Sequence, residues 1–427
     1  MSKAKYILFG LLLTVIWVPM VQMIFQVVES APLKGAFVPH AKIKLTDSTW
    51  FNGDFQRTYE QYLNDTIGFH QDFIRLRNQV DFSLFRKCHS YDIEVGRSGI
   101  LVATWHLDAH LGKTRAVPSR IDTLVKMLHD LNDTLNKMNK TLLIVLAPSR
   151  GCFYKEEAPL WYDLTPTAES DYQHYVRLLS GSNIKFIDFN KSFLQQKSTS
   201  KYPLFTKCGI HWSSYGAATA ADSTLKFIEN AKGVDLPDMV FSKIELSTKA
   251  RGADADLNAT LNLIWPVKND TMAYPKITYK NKEKRKLKLL TIGDSFYYGV
   301  MESNVQTEAF EEYSFWYYNS TIWSNGPNAW KNTKDVSIVD EINKYDVVQL
   351  ISTETNLKEF GWGFIEKAWT AFCTPTGDRI AFYVEQIKKD PKWYEEVKKK
   401  AIQYNKDIDV QLRQDANYMV ELEKQKK

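Results

Sequence analysis

The amino-acid sequence predicts an α/β fold in which a parallel sheet is flanked by helices. Four apolar runs of strand length stand at 141–146, 184–189, 287–292 and 345–352. Segments with apolar residues at helical spacing precede or separate these runs. Continuous apolar runs are typical of strands that are buried on both faces, and their alternation with helices indicates βαβ units.

The predicted helices follow from the same patterning. Residues 118–140 repeat apolar side chains along one face, and further helices are predicted at 168–179 and 213–228. A long amphipathic helix is predicted over 50–85, and its apolar stripe is expected to pack against the main domain. Residues 232–286 are polar and show no clear period, so no element is assigned there.

The N-terminus predicts a membrane anchor. Lys3 and Lys5 precede an uncharged run over 6–28, and a membrane-spanning helix needs about 20 apolar residues. No small-residue cleavage site follows the run, which favours an uncleaved anchor with the lysines in the cytoplasm. A cleaved signal peptide is the alternative. In both cases the bulk of the chain works on the far side of the membrane.

Length and composition limit the domain organisation and the classes of partner that can be expected. The 427 residues divide into an anchor at 1–28, a linker at 29–48, a main domain at 49–380 and a helical extension at 381–427. The formal net charge of +5 is small for this length and gives no reason to expect a nucleic-acid partner.

No metal and no cofactor are expected. His106 and His110 share a helical face as a metal pair would, but no third ligand is evident nearby in the sequence. No two cysteines form a C-x-x-C pair, so scattered core positions are favoured over metal ligation. The cysteines are Cys88, Cys152, Cys208 and Cys373.

The turn Gly293-Asp294-Ser295 is the first candidate for chemistry. It directly follows the predicted strand at 287–292, so Ser295 would lie at the carboxyl end of a parallel strand, where α/β sheets place their ligands. A serine nucleophile needs a histidine base and N–H groups aimed at the oxyanion. An ordinary β-to-α turn is the alternative interpretation.

His211 is the candidate base among the eight histidines. It lies in a loop just before the helix predicted at 213–228, at the same edge of the sheet if the βαβ interpretation holds. Trp212 beside it could hold the ring and exclude water. A histidine that merely caps this helix is the alternative.

Four stretches, in this order, resemble the SGNH-hydrolase-like family of the alginate O-acetyltransferase AlgJ/AlgX type. The Asp-x-His element of that family precedes the nucleophile strand, as His211 precedes Ser295 here. The stretches are Trp50-Phe51-Asn52-Gly53 through Phe69 with Val95-Gly96-Arg97-Ser98-Gly99; Ala147-Pro148-Ser149-Arg150 with Phe153-Tyr154; His211-Trp212 with Tyr215-Gly216-Ala217; and Gly293-Asp294-Ser295-Phe296.

The resemblance implies that the predicted α/β fold is SGNH-hydrolase-like (flavodoxin-like). It also implies that an acetyl group is carried on Ser295 to a hydroxyl of an exported bacterial polysaccharide, with His211 as base. It implies a membrane-bound O-acyltransferase as acetyl donor, and an inner-membrane protein whose domain is in the periplasm. A non-catalytic polysaccharide-binding protein and a carbohydrate acetyl esterase are the alternatives. Candidate substrate-binding residues are Ser149, Arg150 and Trp212.

One position departs from the family. The acid of Asp-x-His is replaced by Gly209. Another carboxylate, Glu354 or Asp294, could orient His211; a backbone carbonyl could do so and leave a dyad; or the domain could act mainly by binding glycan. Tyr297 and Asn356 are further candidates for stabilising the oxyanion beside the Ser295 N–H.

Overall fold

The structure is a computed structural model that describes residues 3–35, 39–374, 376–404 and 406–425. The strands in this part of the chain are β1 Ile93–Val95, β2 Leu101–Ala103, β3 Thr141–Ala147, β4 Lys185–Asp188, β5 Asp238–Ser247, β6 Met272–Lys280, β7 Leu287–Gly293, β8 Phe310–Tyr317, β9 Thr321–Ser324 and β10 Val347–Thr353.

The helices before β7 in the described chain are α1 Lys3–Phe25, α2 Asp47–Phe51, α3 Asp54–Thr66, α4 His70–Phe85, α5 Thr104–His110, α6 Pro118–Lys137, α7 Arg150–Phe153, α8 Asp171–Ser180, α9 Phe189–Gln196, α10 Ser214–Lys232 and α11 Asp256–Thr260. Those after it are α12 Phe296–Met301, α13 Val305–Glu308, α14 Ile338–Lys344, α15 Phe364–Cys373, α16 Thr376–Lys389, α17 Pro391–Gln403 and α18 Ile408–Gln425.

Six strands form the central sheet in the order β4-β3-β10-β7-β8-β9, and every neighbouring pair is parallel except β8 with β9. All side chains of β3 and β10 are buried, as are those of β7 apart from Lys288. Helices α9, α10 and α12 cover one face, and α6, α8 and α15 cover the other. The predicted α/β fold is therefore confirmed, and the four apolar runs are β3, β4, β7 and β10, four of the five parallel strands of this sheet.

The register of the sheet brings the ends of its central strands together. Thr353 at the end of β10 pairs with Ala147 at the end of β3, and Ile351 pairs with Gly293 at the end of β7. The segments that follow these strands therefore leave the sheet from one edge. That edge is where the sequence predicted a site.

Residues 232–286 hold a structured insertion that the sequence did not predict. Strands β5 and β6 pair as an antiparallel hairpin, and their connection contains a 3₁₀ turn at Gly252–Ala255 followed by α11. No side chain of β5 is fully buried. This strand therefore lacks the alternation of apolar and polar residues that marks a half-buried strand.

The prediction of one helix over 50–85 is wrong in two respects. The segment is divided into α2, α3 and α4, with left-handed backbone at Gly53 (φ 79°) and Phe69 (φ 62°) between them. Its apolar stripe does not pack fully against the domain, since Phe73, Leu76 and other stripe residues are exposed.

The two ends of the described chain are helical. Helix α1 is long and apolar enough to cross a membrane. Helices α16, α17 and α18 pack around a small core of their own, formed by Ile387, Val397, Leu412 and Ala416.

Candidate active site

Ser295 lies directly after β7, at the start of α12. Gly293 is needed there because of close packing: a Cβ atom at this position would lie 2.3 Å from Cγ2 of Ile351 in β10. The Ser295 N–H opens the first turn of a helix, where N–H groups have no intrahelical acceptor. The serine is thus presented at the carboxyl edge of the sheet with its N–H available to a substrate.

Asp294 fixes this turn to the end of β10. Its buried Oδ2 accepts hydrogen bonds from the N–H and the hydroxyl of Thr353, both at 2.8 Å, and from Nδ2 of Asn356 at 2.9 Å. Its Oδ1 accepts from the N–H of Phe296 at 3.1 Å. These contacts join the turn to the end of β10 and to the 3₁₀ turn that follows it. Asp294 therefore stabilises the backbone around Ser295, and none of these contacts involves His211.

A chain of three side chains connects a serine, a histidine and a carboxylate. Nε2 of His211 lies 2.9 Å from Oγ of Ser295, and Nδ1 lies 2.6 Å from Oδ2 of Asp256. A carboxylate can only accept, so Nδ1 carries the proton and Nε2 accepts from the serine hydroxyl. The His211 ring packs against Phe296, with ring centres 4.7 Å apart. This is the geometry of a serine nucleophile with an oriented base.

Asp256 is the functional candidate that the sequence did not identify. It is the first residue of α11 in the unassigned insertion, 45 residues after His211. Its other oxygen, Oδ1, accepts from the N–H of Ile210 at 2.7 Å and of Leu257 at 2.8 Å. One carboxylate therefore holds both the His211 ring and the backbone just before it. No sequence pattern in this polar stretch indicates the pairing.

Gly209 explains why the acid comes from elsewhere. A Cβ atom at Gly209 would lie 2.7 Å from the carbonyl oxygen of Ala253, 2.7 Å from Oγ1 of Thr206 and 3.0 Å from the carbonyl carbon of Asp254. The segment that carries Asp256 thus occupies the space that an aspartate side chain at position 209 would need. Of the three options left open by the sequence, the structure has another carboxylate, and it is neither Glu354 nor Asp294.

Arg150 is a scaffold residue and does not reach the site as a substrate ligand. It is fully buried, and burial lowers the pKa of its guanidinium to about 10. It donates to four backbone carbonyls, those of Leu101, Thr206, Lys207 and Gly209. Three of these belong to the loop that leads to His211, so Arg150 positions the base through its loop.

The other two substrate-binding candidates also have structural partners. The buried Ser149 hydroxyl caps α7 by accepting from the N–H groups of Gly151 and Cys152. Trp212 is buried and donates from Nε1 to the carbonyl of Phe296 at 3.1 Å. Trp212 still lines the pocket at Ser295, whereas Ser149 does not.

The remaining predicted candidates do not offer a free donor to the oxyanion. Tyr297 is buried in the core against Phe315, at a ring separation of 4.7 Å, and burial raises its pKa to about 12. The carboxylate of Glu354 contacts His110, with Oε1 3.1 Å from Nδ1. Asn356 uses Nδ2 for Asp294 and Thr353.

Tyr318 is a candidate donor that the sequence did not identify. Burial raises the pKa of its phenol, and the nearby side chains of Ser295 and Asn356 lower it by a smaller amount. The residue adopts a left-handed backbone with φ 47°, which is uncommon for an aromatic residue. Its ring packs edge-on against Trp362 with centres 5.0 Å apart. The strained turn after β8 thus places a phenol hydroxyl near Ser295.

A pocket of about 120 Å³ opens beside Ser295 and His211. Tyr298 and two carboxylic residues, Asp254 and Glu302, are part of its lining. Burial raises the pKa of both acids, and each is raised further by a neighbouring carboxylate. The pocket therefore offers several oxygen atoms that can accept hydrogen bonds from hydroxyl groups.

The family comparison matches the part of the chain that carries this site. Residues 105–309 match the model described as the SGNH hydrolase-like domain of acetyltransferase AlgX. The match includes Ser295, His211 and Asp256. No curated protein sequence matches the chain significantly.

Three solved structures are similar in fold. The O-acetyltransferase domain of Pseudomonas putida AlgJ has 14% identity over 65% of this chain and 99% of that one, with a TM-score of 0.42. Bacillus cereus PatB1 with a sulfonyl adduct has 12% identity over 59% and 93%, with a TM-score of 0.40. Pseudomonas aeruginosa AlgX has 11% identity over 64% and 67%, with a TM-score of 0.41. Likeness at this level carries no argument about activity.

Proposed function

Because residues 105–309 are an SGNH hydrolase-like domain of the AlgJ/AlgX type, we propose that the protein is an O-acetyltransferase that acts on an exported bacterial polysaccharide through an acetyl-serine intermediate. The observation that carries this proposal is the chain of hydrogen bonds from Ser295 through His211 to Asp256, at 2.9 and 2.6 Å. The catalytic roles are Ser295 as nucleophile, His211 as base and Asp256 as the acid that orients the base.

The first half-reaction loads the serine. Nε2 of His211 accepts the hydroxyl proton as Oγ of Ser295 attacks the acetyl carbonyl carbon. The oxygen of the tetrahedral intermediate gains negative charge, and the proposed hydrogen-bond donors to it are the Ser295 N–H and the Tyr318 hydroxyl. Collapse of the intermediate breaks the bond to the donor group, which leaves with the proton from His211. Asp256 stabilises the imidazolium while it exists.

The second half-reaction unloads the serine onto a sugar. His211 removes a proton from an acceptor hydroxyl, the resulting oxygen attacks the acetyl-serine carbonyl, and Ser295 recovers its proton. Asp254 and Glu302 in the pocket are placed to accept hydrogen bonds from neighbouring sugar hydroxyls. Water in the place of the sugar would give an esterase, so the acceptor decides between the two reactions.

The proposed setting is the periplasmic side of a bacterial inner membrane. Helix α1 supports an anchor by its length and apolar composition, and the two lysines in its first turn support a cytoplasmic N-terminus. A membrane-bound O-acyltransferase would supply the acetyl group. The proposed units are the anchor at 1–28, the linker at 29–48, the domain at 49–380 and the extension at 381–427.

The test is to expose the protein, in detergent micelles, to a small acetyl ester and to follow the mass of the peptide that contains Ser295. We expect an acetyl adduct that is absent in Ser295→Ala. If the protein is a transferase, an added oligosaccharide acceptor should speed the loss of the adduct, and the acetylated oligosaccharide should be detected as the product. A panel of oligosaccharides is tested in this way. Release of acetate alone would indicate an esterase, and a folded protein that never forms the adduct would refute the proposal.

A further inference from the structure

Three metal-binding side chains converge at the carboxyl edge of the sheet, outside the pocket at Ser295. His110 ends α5, Cys152 lies in α7 after β3, and Glu354 directly follows β10. Each offers one ligand atom, and these atoms all lie within 4.8 Å of one another. The sequence placed His110 in a helical pair with His106 and found no third ligand, because the other two residues come from distant segments.

Glu354 indicates that something beyond the protein's own side chains belongs in this cluster. The residue is only 2% exposed. Its Oε1 contacts Nδ1 of His110 at 3.1 Å, but its Oε2 is buried without a hydrogen-bond partner among the described residues. A buried polar atom without a partner costs about 1–3 kcal/mol, and a charged one costs more. A buried carboxylate oxygen without a partner, beside a thiol and an imidazole, therefore indicates that a ligand binds here.

We propose that His110, Cys152 and Glu354 bind one Zn²⁺ ion. Thiolate and imidazole ligands favour zinc over magnesium and calcium, which prefer oxygen atoms alone. A thiolate and a carboxylate together neutralise the two positive charges of the ion. Three protein ligands leave the fourth position of a tetrahedral site for water.

The three ligand atoms would need to move only slightly closer together to bind the ion. Zinc–ligand bonds of about 2.0–2.3 Å place tetrahedral ligand atoms about 3.5 Å apart. The present separations, up to 4.8 Å, would therefore shorten by about 1 Å through side-chain rotation. The ion would join α5, α7 and the end of β10. Thr353, next to Glu354, hydrogen-bonds with Asp294, so the site would stiffen the support of the nucleophile turn without contacting substrate.

The test uses the whole protein in detergent micelles, stripped of metal, and titrates it with Co²⁺ as a spectroscopic probe and then with Zn²⁺. We expect one equivalent of Co²⁺ to bind, with a thiolate-to-cobalt charge-transfer band that Zn²⁺ abolishes. Cys152→Ser should remove the band, and the matched control Cys88→Ser should keep it. His110→Gln and Glu354→Gln should weaken binding of both metals by about 10-fold or more.

Thermal melting of each metal-free variant shows whether it is folded, so that lost binding is not confused with lost structure. A folded wild-type protein that gives no charge-transfer band would overturn the proposal, as would a band that persists in Cys152→Ser. The readout does not involve acetyl transfer. Failure here would leave the proposed acetyltransferase reaction intact, and failure of that reaction would leave this site intact.

Discussion

At the scale of single residues, the site depends on which position in the chain can place a carboxylate beside His211. Asp256 holds the Nδ1–H of His211 and the N–H of Ile210 with its two oxygens. Gly209 leaves room for the backbone of Ala253 and Asp254 beside it. Because Gly209 has no side chain, the segment that carries Asp256 can pack close enough for Asp256 to reach His211.

This arrangement predicts that Gly209→Asp, which recreates an Asp-x-His sequence, will damage the protein. The new side chain would displace the segment that carries Asp256, because a Cβ atom alone would lie 2.7 Å from two oxygen atoms. We expect a loss of stability of about 1–3 kcal/mol, as is typical of overpacked sites, together with slower formation of the acetyl adduct. Chemical denaturation and adduct mass measure the two effects. Acylation faster than wild type would show that position 209 can hold the acid.

Among single residues, the sequence identified the nucleophile and base candidates but not their partners. Ser295 and His211 were found because each stands next to a recognisable element, a buried strand or the start of a helix. Asp256 lies in a polar stretch without periodicity, and its role arises only when the β5–β6 connection folds back onto the 206–211 loop. Tyr318 was missed because its turn joins β8 and β9, which were not predicted.

At the scale of elements, the base is held by a loop whose backbone is tied to a buried arginine. Arg150, at the start of α7, donates to four carbonyls, three of them in the 206–209 segment. A planar guanidinium can meet several acceptors at fixed angles, whereas a lysine ammonium is a point charge on a flexible stem. Helix α7 and the loop that carries His211 are thus joined by one side chain.

We therefore expect Arg150→Lys to destabilise the protein by about 3 kcal/mol or more, because buried carbonyls would lose their donors. Adduct formation should also slow, since the loop before His211 would loosen. Urea denaturation of wild type and variant measures the first effect. Arg177→Lys, an exposed arginine on α8 paired with Glu169, is the matched control and should stay near wild type. Equal stability for Arg150→Lys and the control would contradict this role.

At the scale of the whole molecule, four of the six strands of the central sheet were predictable, whereas β8, β9 and the elements outside the sheet were less so or not at all. Strands β3, β7 and β10 are buried on both faces, so their sequences are continuous apolar runs. The lead-in helices were predicted as one packed helix because their stripe has helical spacing, yet several of its apolar residues face solvent. Periodicity identifies a helix, but it does not tell which partner covers its apolar face.

The buried His106 predicts how global stability depends on pH. Burial first, and then the charges of Arg150 and His211, lower its pKa from 6.5 to about 3. Below about pH 6.5 the histidine of the unfolded chain gains a proton whereas the buried histidine stays neutral, so a falling pH favours unfolding. The stability of the fold is therefore unaffected by His106 above about pH 6.5 and is lost as the pH falls towards 3, at up to about 1.4 kcal/mol per pH unit.

In His106→Gln this dependence should disappear, and stability between pH 6.5 and 4.5 should fall less steeply than in wild type. Denaturation curves at several pH values measure the difference between the two slopes, which removes the contribution of the carboxylates common to both proteins. Parallel slopes would mean that His106 is not kept neutral by the fold.

The measurement that tests the central claim most directly is the single-turnover rate of acetylation of Ser295 in Asp256→Asn. An amide at 256 can favour the wrong tautomer of His211, so we expect the rate to fall by about 10³–10⁴ while the protein stays folded. Asp270→Asn, an exposed acid in the same insertion, should acylate at the wild-type rate. An Asp256→Asn protein that acylates as fast as wild type would show that the acid of the triad is not Asp256.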